Sequence, residues 1–550
     1  MRLFEDSFSK IDRRDLVFCF SISLFLFLLS MLWFSLDHHH ANQDESGHIL
    51  NSISFMELFL EPRPFRGYWW NNLFSVNNFY PPFVYILSGL MKCVLGIGRW
   101  VDIFVASVFT FWLAASSFLT VRILGFSVLS ACLAALLVNL FPSAAALNHS
   151  FMLDYPLLSM VSVGIFSICF WRQKPTLLRA LASGVLLGLS CLTKQIAAVY
   201  LVGTGALFVI ESLISDRKEA RFKELIQLFV MALTTAVVAG PFVVYSYKAT
   251  KTLTDTIKAE MSSGGASRSF VDYFGYYVTQ GFPAVLSYFF FALFILAGIL
   301  VGAKVHRKLL PVWFSFAVGV LAMSSWTDFP ISTRYIIPAL TLPAYLIGIF
   351  LANLFESRKR FYQLLASISI AVAVALYISF NFCPYPISGP SILVNLAPSL
   401  GAREPDQLSR DKNHRAPQPY QDWGYEWTLD QIEKWDKGVP IYLNILANSY
   451  EVNAHTYELL TKERKSQVRA TTSRYHTVVG DKIDFSPEKA LYYHWYLRKD
   501  GDLGWPLADQ ASRDNEQKLN DFLDNSGKFR KVATKVLPDG ATLTLYRQKF

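Results

Sequence analysis

The chain reads as a polytopic α-helical membrane protein, with about 11–13 transmembrane helices and a C-terminal water-soluble domain of α/β or α+β type. Three observations predict this. Of its 550 residues, 53% are hydrophobic and only 17% charged, which excludes an ordinary soluble globular protein. From about Leu16 to Phe380 the apolar residues recur in blocks of roughly 18–23, the length that crosses a bilayer core. From about Asn381 onward the chain turns polar. The expected division is therefore a membrane domain over 1–380 and a soluble domain over 381–550.

The first block, Leu16–Leu36, follows Arg2, Lys10, Arg13 and Arg14 and has no small-residue cleavage site behind it. It reads as a retained first span. Later basic clusters fall between blocks, at Arg172/Lys174/Arg179, Arg217/Lys218/Arg221/Lys223, Lys304/Arg307/Lys308 and Arg358/Lys359/Arg360. Placing them all in the cytoplasm with the N-terminus satisfies the positive-inside rule. This arrangement works only if one of two neighbouring blocks, Pro81–Gly98, does not cross. It is expected to lie along the outer face, making 37–98 a first external loop with membrane-parallel helices. The count is then about eleven spans, with the C-terminal domain outside. The stretch Lys248–Gly281 is expected as a long external loop.

The net charge of +9 belongs largely to these loops and is no nucleic-acid signal. The six cysteines sit almost entirely in apolar blocks, with no disulfide or zinc spacing. His38-His39-His40 is expected as a solvated loop.

On this topology the outer face collects Asp44, Glu45, Asp154, Lys194 and Arg334. Carboxylates at the mouth of an apolar span are costly beside lipid and point to function. Asp154, just ahead of Pro156, fits a helix N-cap as well as it fits a site acid. Lys194 is either a snorkelling side chain or a site cation, and Glu45 either solvates a loop or joins the site. Together, carboxylates and cations at one face suit base chemistry, or oxygen ligation of a divalent ion, beside a bound phosphate.

The order of these segments carries a resemblance. Asp44-Glu45 is followed by Tyr80-Pro81-Pro82, Asp154-Tyr155-Pro156-Leu157, Gly184-Val-Leu-Leu-Gly188 running to Leu192-Thr193-Lys194, and Arg334-Tyr335-Ile336-Ile337-Pro338. It resembles the bacterial branch of the GT-C membrane glycosyltransferases, related to the protein O-mannosyltransferases and the lipid A aminoarabinose transferase. The resemblance implies inverting transfer of a sugar from a polyprenyl-phosphate donor to a hydroxyl of a lipid, glycan or protein acceptor, outside a bacterial cytoplasmic membrane. It implies Asp44 as catalytic base or metal contact, Glu45 as its partner and Asp154 as the second-loop acid. Lys194, Arg334 and Tyr335 become donor-phosphate residues. A magnesium or manganese ion shared by Asp44 and Asp154 is one option and metal-free catalysis the other. Where the family often has a lysine before the two prolines, this chain has Phe79-Tyr80. The rival reading is a secondary transporter with a carboxylate-lined ion site, which calls for charges near the bilayer midplane and for internal repeats. In the C-terminal region Trp423, Tyr425, Trp427, Trp435, Trp495 and Trp505 either stack on sugars or fill a small core.

Overall fold

In a computed structural model, residues 9–75, 79–214, 218–263, 269–327, 332–383, 416–436, 440–477, 480–504 and 506–549 are described. Arg2, Arg217 and Trp505, named above, lie outside them. Helix α1 spans Arg13–Leu36 and starts on a capping box in which Asp12 and Asp15 bond each other's backbone N–H. Asp15 also pairs with Arg122, 2.7 Å away at the far end of α5 (Arg99–Ile123), so α1 and α5 are tied antiparallel along their length. Three shorter helices lie between them: α2 (Gln43–Leu60), α3 (Gly67–Ser75) and α4 (Phe83–Leu95). At 13 residues α4 is only about 20 Å long, too short for a bilayer core of about 30 Å.

The bundle continues with α6 (Val128–Leu140) and α7 (Pro142–Asn148), bent 65° against each other, then α8 (Asp154–Gln173), α9 (Leu177–Cys191) and α10 (Ala197–Ile214). Among the described residues nine helices are long and apolar enough to cross a membrane, ten with the bent pair. Helix α9, at 15 residues, is apolar but, like α4, shorter than a full span, so the described residues give nine or ten spans where about eleven were expected. Its Gly184 and Gly188 explain why it packs so closely. A Cβ at either would come within 2.6 Å of α11 (Lys218–Ser263), at Thr234 or Val238, so the glycines let the two backbones meet.

Helix α11 (Lys218–Ser263) departs from the expected loop after Lys248, running on through Lys251, Asp255 and Lys258. That stretch is polar but rich in good helix formers, so the helix outlasts the apolar segment. Helices α12 (Phe270–Tyr276), α13 (Phe282–Ala297), α14 (Ala303–Ser325), α15 (Thr341–Phe355, preceded by a 3₁₀ turn at Thr333–Leu340) and α16 (Arg360–Phe382) complete the bundle around one continuous apolar core.

The C-terminal domain is a five-stranded mixed sheet. Its strands are β1 (Ile441–Ile445), β2 (Val468–Thr471), β5 (Trp495–Lys499), β6 (Phe529–Val536) and β7 (Thr542–Gln548), in the order β2-β1-β5-β7-β6. A separate two-stranded ribbon pairs β3 (Arg474–Thr477) with β4 (Gly480–Ile483). Strand β1 runs parallel to β2 and β5, and β7 antiparallel to β5 and β6. Helices α17 (Tyr425–Trp435), α18 (Ala454–Glu463), α19 (Pro487–Ala490) and α20 (Gln510–Asn525) complete it. Trp423, Tyr425 and Trp495 are buried in its core, and Trp427 packs on that core. The exposed Trp435 is flanked by the guanidiniums of Arg530 and Arg547. The aromatics are therefore mostly structural.

This domain sits on the helix that carries the acidic pair. Gln43 donates to Asn448 (2.6 Å), Asn42 bonds the Tyr450 hydroxyl, Thr456 donates to the Ala41 carbonyl (3.0 Å), and Lys462 pairs with Glu57 (2.6 Å). The histidine triplet is not a solvated loop. His39 is buried, and His40 packs edge-on to Tyr420 and Tyr425 of the domain. The loop runs under the domain, with the backbone of His38 bonded to the Gln418 carbonyl.

Candidate active site

Alternate helices run in opposite directions, which brings the first residue of α8, the turn after α9 and the turn before α15 to the same end of the bundle. Asp154 opens α8 but caps nothing: the N-cap position is Leu153, without a side-chain bond. The Asp154 carboxylate, fully buried, instead accepts from Lys194 Nζ at 2.6 Å through Oδ1 and from Arg334 Nε at 2.9 Å through Oδ2, with Arg334 Nη2 on the same oxygen. Lys194 therefore does not snorkel. Its turn is pinned by Gln195, which donates to the Phe79 carbonyl (2.6 Å), and by Phe83 N–H on the Leu192 carbonyl (2.9 Å). Burial pulls the Lys194 ammonium below the ordinary lysine value, opposed by Asp154. Arg334 sits in the 3₁₀ turn, whose next residue, Tyr335, has its carbonyl held by the Tyr200 hydroxyl at 2.6 Å.

One carboxylate thus faces two cations, so the buried triad taken alone carries one formal positive charge in excess, with the exposed Asp44 as the next negative charge acting on Arg334. An excess of buried charge is costly, so the triad can accept a further anion.

The acidic pair divides. Asp44 and Glu45 lie in the first turn of α2, with Asn42 as the cap accepting from Glu45 N–H (2.9 Å). Successive helix positions are about 100° apart, so the two side chains cannot share a face. Glu45 turns inward, buried, and accepts the Phe151 N–H at 3.0 Å, tying α2 to the α7–α8 connection. It is buried rather than solvated, and it acts electrostatically on Arg99. Asp44 is exposed, has no hydrogen bond or ion pair among the described residues, and acts electrostatically on Arg334, Tyr80 and His48.

The sequence reading missed His48 and quoted Tyr80 in a motif without giving it a role. His48 lies four residues after Asp44, one helical turn further along the same face. Its Nδ1 is 2.7 Å from the Tyr85 hydroxyl, and its ring stands edge-on to Tyr80 at 5.2 Å. Burial pushes the imidazole down to about 4 and the Tyr80 phenol up to about 12. The reading also passed over Lys92 and Asp102. They form a buried pair between α4 and α5, with Ser52 of α2 donating to the same carboxylate oxygen. An ionisable residue inside each of two apolar blocks was the available signal.

A shared divalent ion does not fit these residues. Both Asp154 oxygens are taken by cations, and no cluster of three or more His, Cys, Asp or Glu suited to a metal exists among the described residues. At the turn that carries Lys194, though not lined by Lys194 itself, an open apolar groove of about 370 Å³ runs between α9, α10 and α11, lined by Cys191, Leu192, Gln195, Ala198, Ala239 and Phe242 among others.

Residues 99–253 match the family model for dolichyl-phosphate-mannose-protein mannosyltransferase. No curated protein matches the chain in sequence. Among solved structures the fold is similar to that of ArnT from Cupriavidus metallidurans bound to undecaprenyl phosphate, at a TM-score of 0.55 and 12% identity, covering 96% of this chain and 97% of that one. The apo state of the same protein gives 0.54 and 13% over the same shares. The S. cerevisiae Pmt1-Pmt2 protein O-mannosyltransferase complex bound to its sugar donor is similar over 44% of this chain and 34% of that one, at 13% identity and a TM-score of 0.35. The chain therefore shares the fold of ArnT over 96% of its length, and the family model for the mannosyltransferases matches it from α5 into α11.

Proposed function

We propose that this chain transfers a sugar from a polyprenyl-phosphate donor to a hydroxyl of a lipid, glycan or protein acceptor at the outer face of a bacterial cytoplasmic membrane, with inversion. The observation that carries this reading is the buried Asp154 held between Lys194 and Arg334, with Asp44 unpaired nearby. The basic clusters at Arg172/Lys174/Arg179 and Arg358/Lys359/Arg360 lie at the opposite end of the bundle. That supports a cytoplasmic N-terminus and an external site.

The donor phosphate is the further anion, bonded by Lys194 and Arg334, with Tyr335 and Tyr80 bordering it. Asp154 orients both cations and keeps them in place before the lipid arrives. The apolar groove at the Lys194 turn receives the start of the prenyl chain from the bilayer. The acceptor hydroxyl approaches Asp44 from the open side. Its oxygen attacks the anomeric carbon as Asp44 takes its proton, and the bond from that carbon to the phosphate oxygen breaks on the far side. Asp44 loses one negative charge as the phosphate gains one. The two cations then stabilise the leaving group more strongly in the transition state than in the bound donor, which is what accelerates transfer.

The test is transfer of label from radiolabelled polyprenyl-phosphate sugars to an envelope acceptor extract by purified protein, with and without EDTA. Wild type transfers in both arms. Asp44→Asn, exposed and unpaired, keeps the wild-type melting temperature and loses at least about 10³-fold in kcat. Normal turnover by a folded Asp44→Asn protein sinks the assignment.

A further inference from the structure

His48 is buried to 7% exposure beside Asp44, Arg334, Lys194 and Asp154, all of which act on its ring electrostatically. Its hydrogen bonding fixes where its proton sits. Tyr85 is fully buried, and His48 Nδ1 is the hydrogen-bond partner of its phenol among the described residues. The phenol's O–H then goes to His48 Nδ1, 2.7 Å away. A neutral imidazole that accepts at Nδ1 carries its hydrogen on Nε2. That Nε2 has no hydrogen-bond partner among the described residues, and the ring stands edge-on to Tyr80, whose neighbour Phe79 is held by Gln195 in the turn that carries Lys194.

Resting on the transferase reading above, we propose that His48 is a third phosphate-binding residue. It offers an uncharged Nε2–H donor to the lipid phosphate between Lys194 and Arg334, in a tautomer set by Tyr85. Nearly full burial keeps the ring neutral near pH 7, so this donor adds direction without adding to the two existing charges. Direction matters here because a lysine ammonium acts on a phosphate as a point charge, whereas an imidazole N–H addresses one oxygen.

The experiment titrates full-length protein in detergent micelles with undecaprenyl phosphate lacking any sugar, for wild type, His48→Phe, His48→Gln and Tyr85→Phe, with a melting curve for each. His48→Phe is expected to weaken binding about ten- to hundredfold, the range of one hydrogen bond to a charged group. His48→Gln, whose amide N–H reaches near the Nε2 position, recovers most of that. Tyr85→Phe touches no phosphate yet also weakens binding, because it frees the ring to exchange tautomers. In transfer assays the donor KM rises in step with Kd. Wild-type affinity in a folded His48→Phe protein overturns the inference. Unchanged affinity with a shifted pH–rate profile overturns it too, since the N–H would then serve Asp44. A wild type that binds no undecaprenyl phosphate overturns the transferase reading itself, and this inference with it.

Discussion

The two ends of the helical bundle each bury a charge triad, and the triads have opposite compositions. At one end Asp154 is shared by two cations, Lys194 and Arg334. At the other, Arg172 is shared by two carboxylates, with Glu211 gripping Nε and Nη2 (3.1 and 2.9 Å) and Glu224 at 3.5 Å, itself held by Ser212. Both triads join the ends of helices that are distant in sequence. In the Arg172 triad Glu211 holds the guanidinium bidentately, and the sign in excess is negative. The Asp154 triad has a surplus cation, an unpaired carboxylate at Asp44 and an apolar groove at the Lys194 turn. Burial of charge is therefore not the mark of the site, because both ends have it. The mark is which sign is left over, and whether there is room for something to answer it.

Removing the shared partner of each triad separates the two most strongly. Asp154→Ala and Arg172→Ala each strand two like charges, and each should cost about 3–5 kcal/mol of stability. The melting temperature of Asp154→Ala should recover partly with saturating polyprenyl phosphate, which replaces the lost anion. That of Arg172→Ala should not. Equal recovery in both, or in neither, breaks the distinction.

Acid sharpens it through His48. The ordinary histidine value of 6.5 falls to about 4 in the folded protein, so the unfolded chain binds more protons between those limits. Stability is full above about pH 6.5 and is lost as pH falls toward 4, by about 3 kcal/mol if the whole shift is expressed. His48→Gln should remove that slope from denaturation midpoints measured across the window. The Arg172 triad has no such group.

The smallest effect belongs to the C-terminal domain. Asn448→Ala removes the partner of Gln43, the residue before Asp44, and should lower kcat about tenfold while leaving donor KM unchanged. A change in KM alone would place the domain's influence on the donor side instead.

Much of the site was legible because charge is rare in an apolar sequence. Asp154, Lys194 and Arg334 each stood out at the edge of a hydrophobic block, and loop charges placed them on one side. Their mutual contact, 40 and 180 residues apart in sequence, was not legible, so the N-cap reading of Asp154 stood until the structure filled both its oxygens. Glu45 was misread because adjacency in sequence suggests a pair, whereas helix geometry sends neighbours to different faces. His48 could have been found by stepping one helical turn from Asp44, a rule applied to apolar stripes but not to this polar start. The grip of Asn448, Tyr450 and Thr456 on α2 had no sequence signal. Each is an ordinary polar loop or helix residue, and its partner lies some 400 positions away.

The account rests most directly on the surplus cation receiving a lipid phosphate. The deciding measurement is the dissociation constant for undecaprenyl phosphate in wild type, Lys194→Gln and Glu224→Gln, each checked for a cooperative melt. Lys194→Gln should weaken binding at least about tenfold, because it removes one charged hydrogen bond to the phosphate. Glu224→Gln, at the opposite end, should bind as wild type does. Equal affinity in wild type and a folded Lys194→Gln protein would contradict the account.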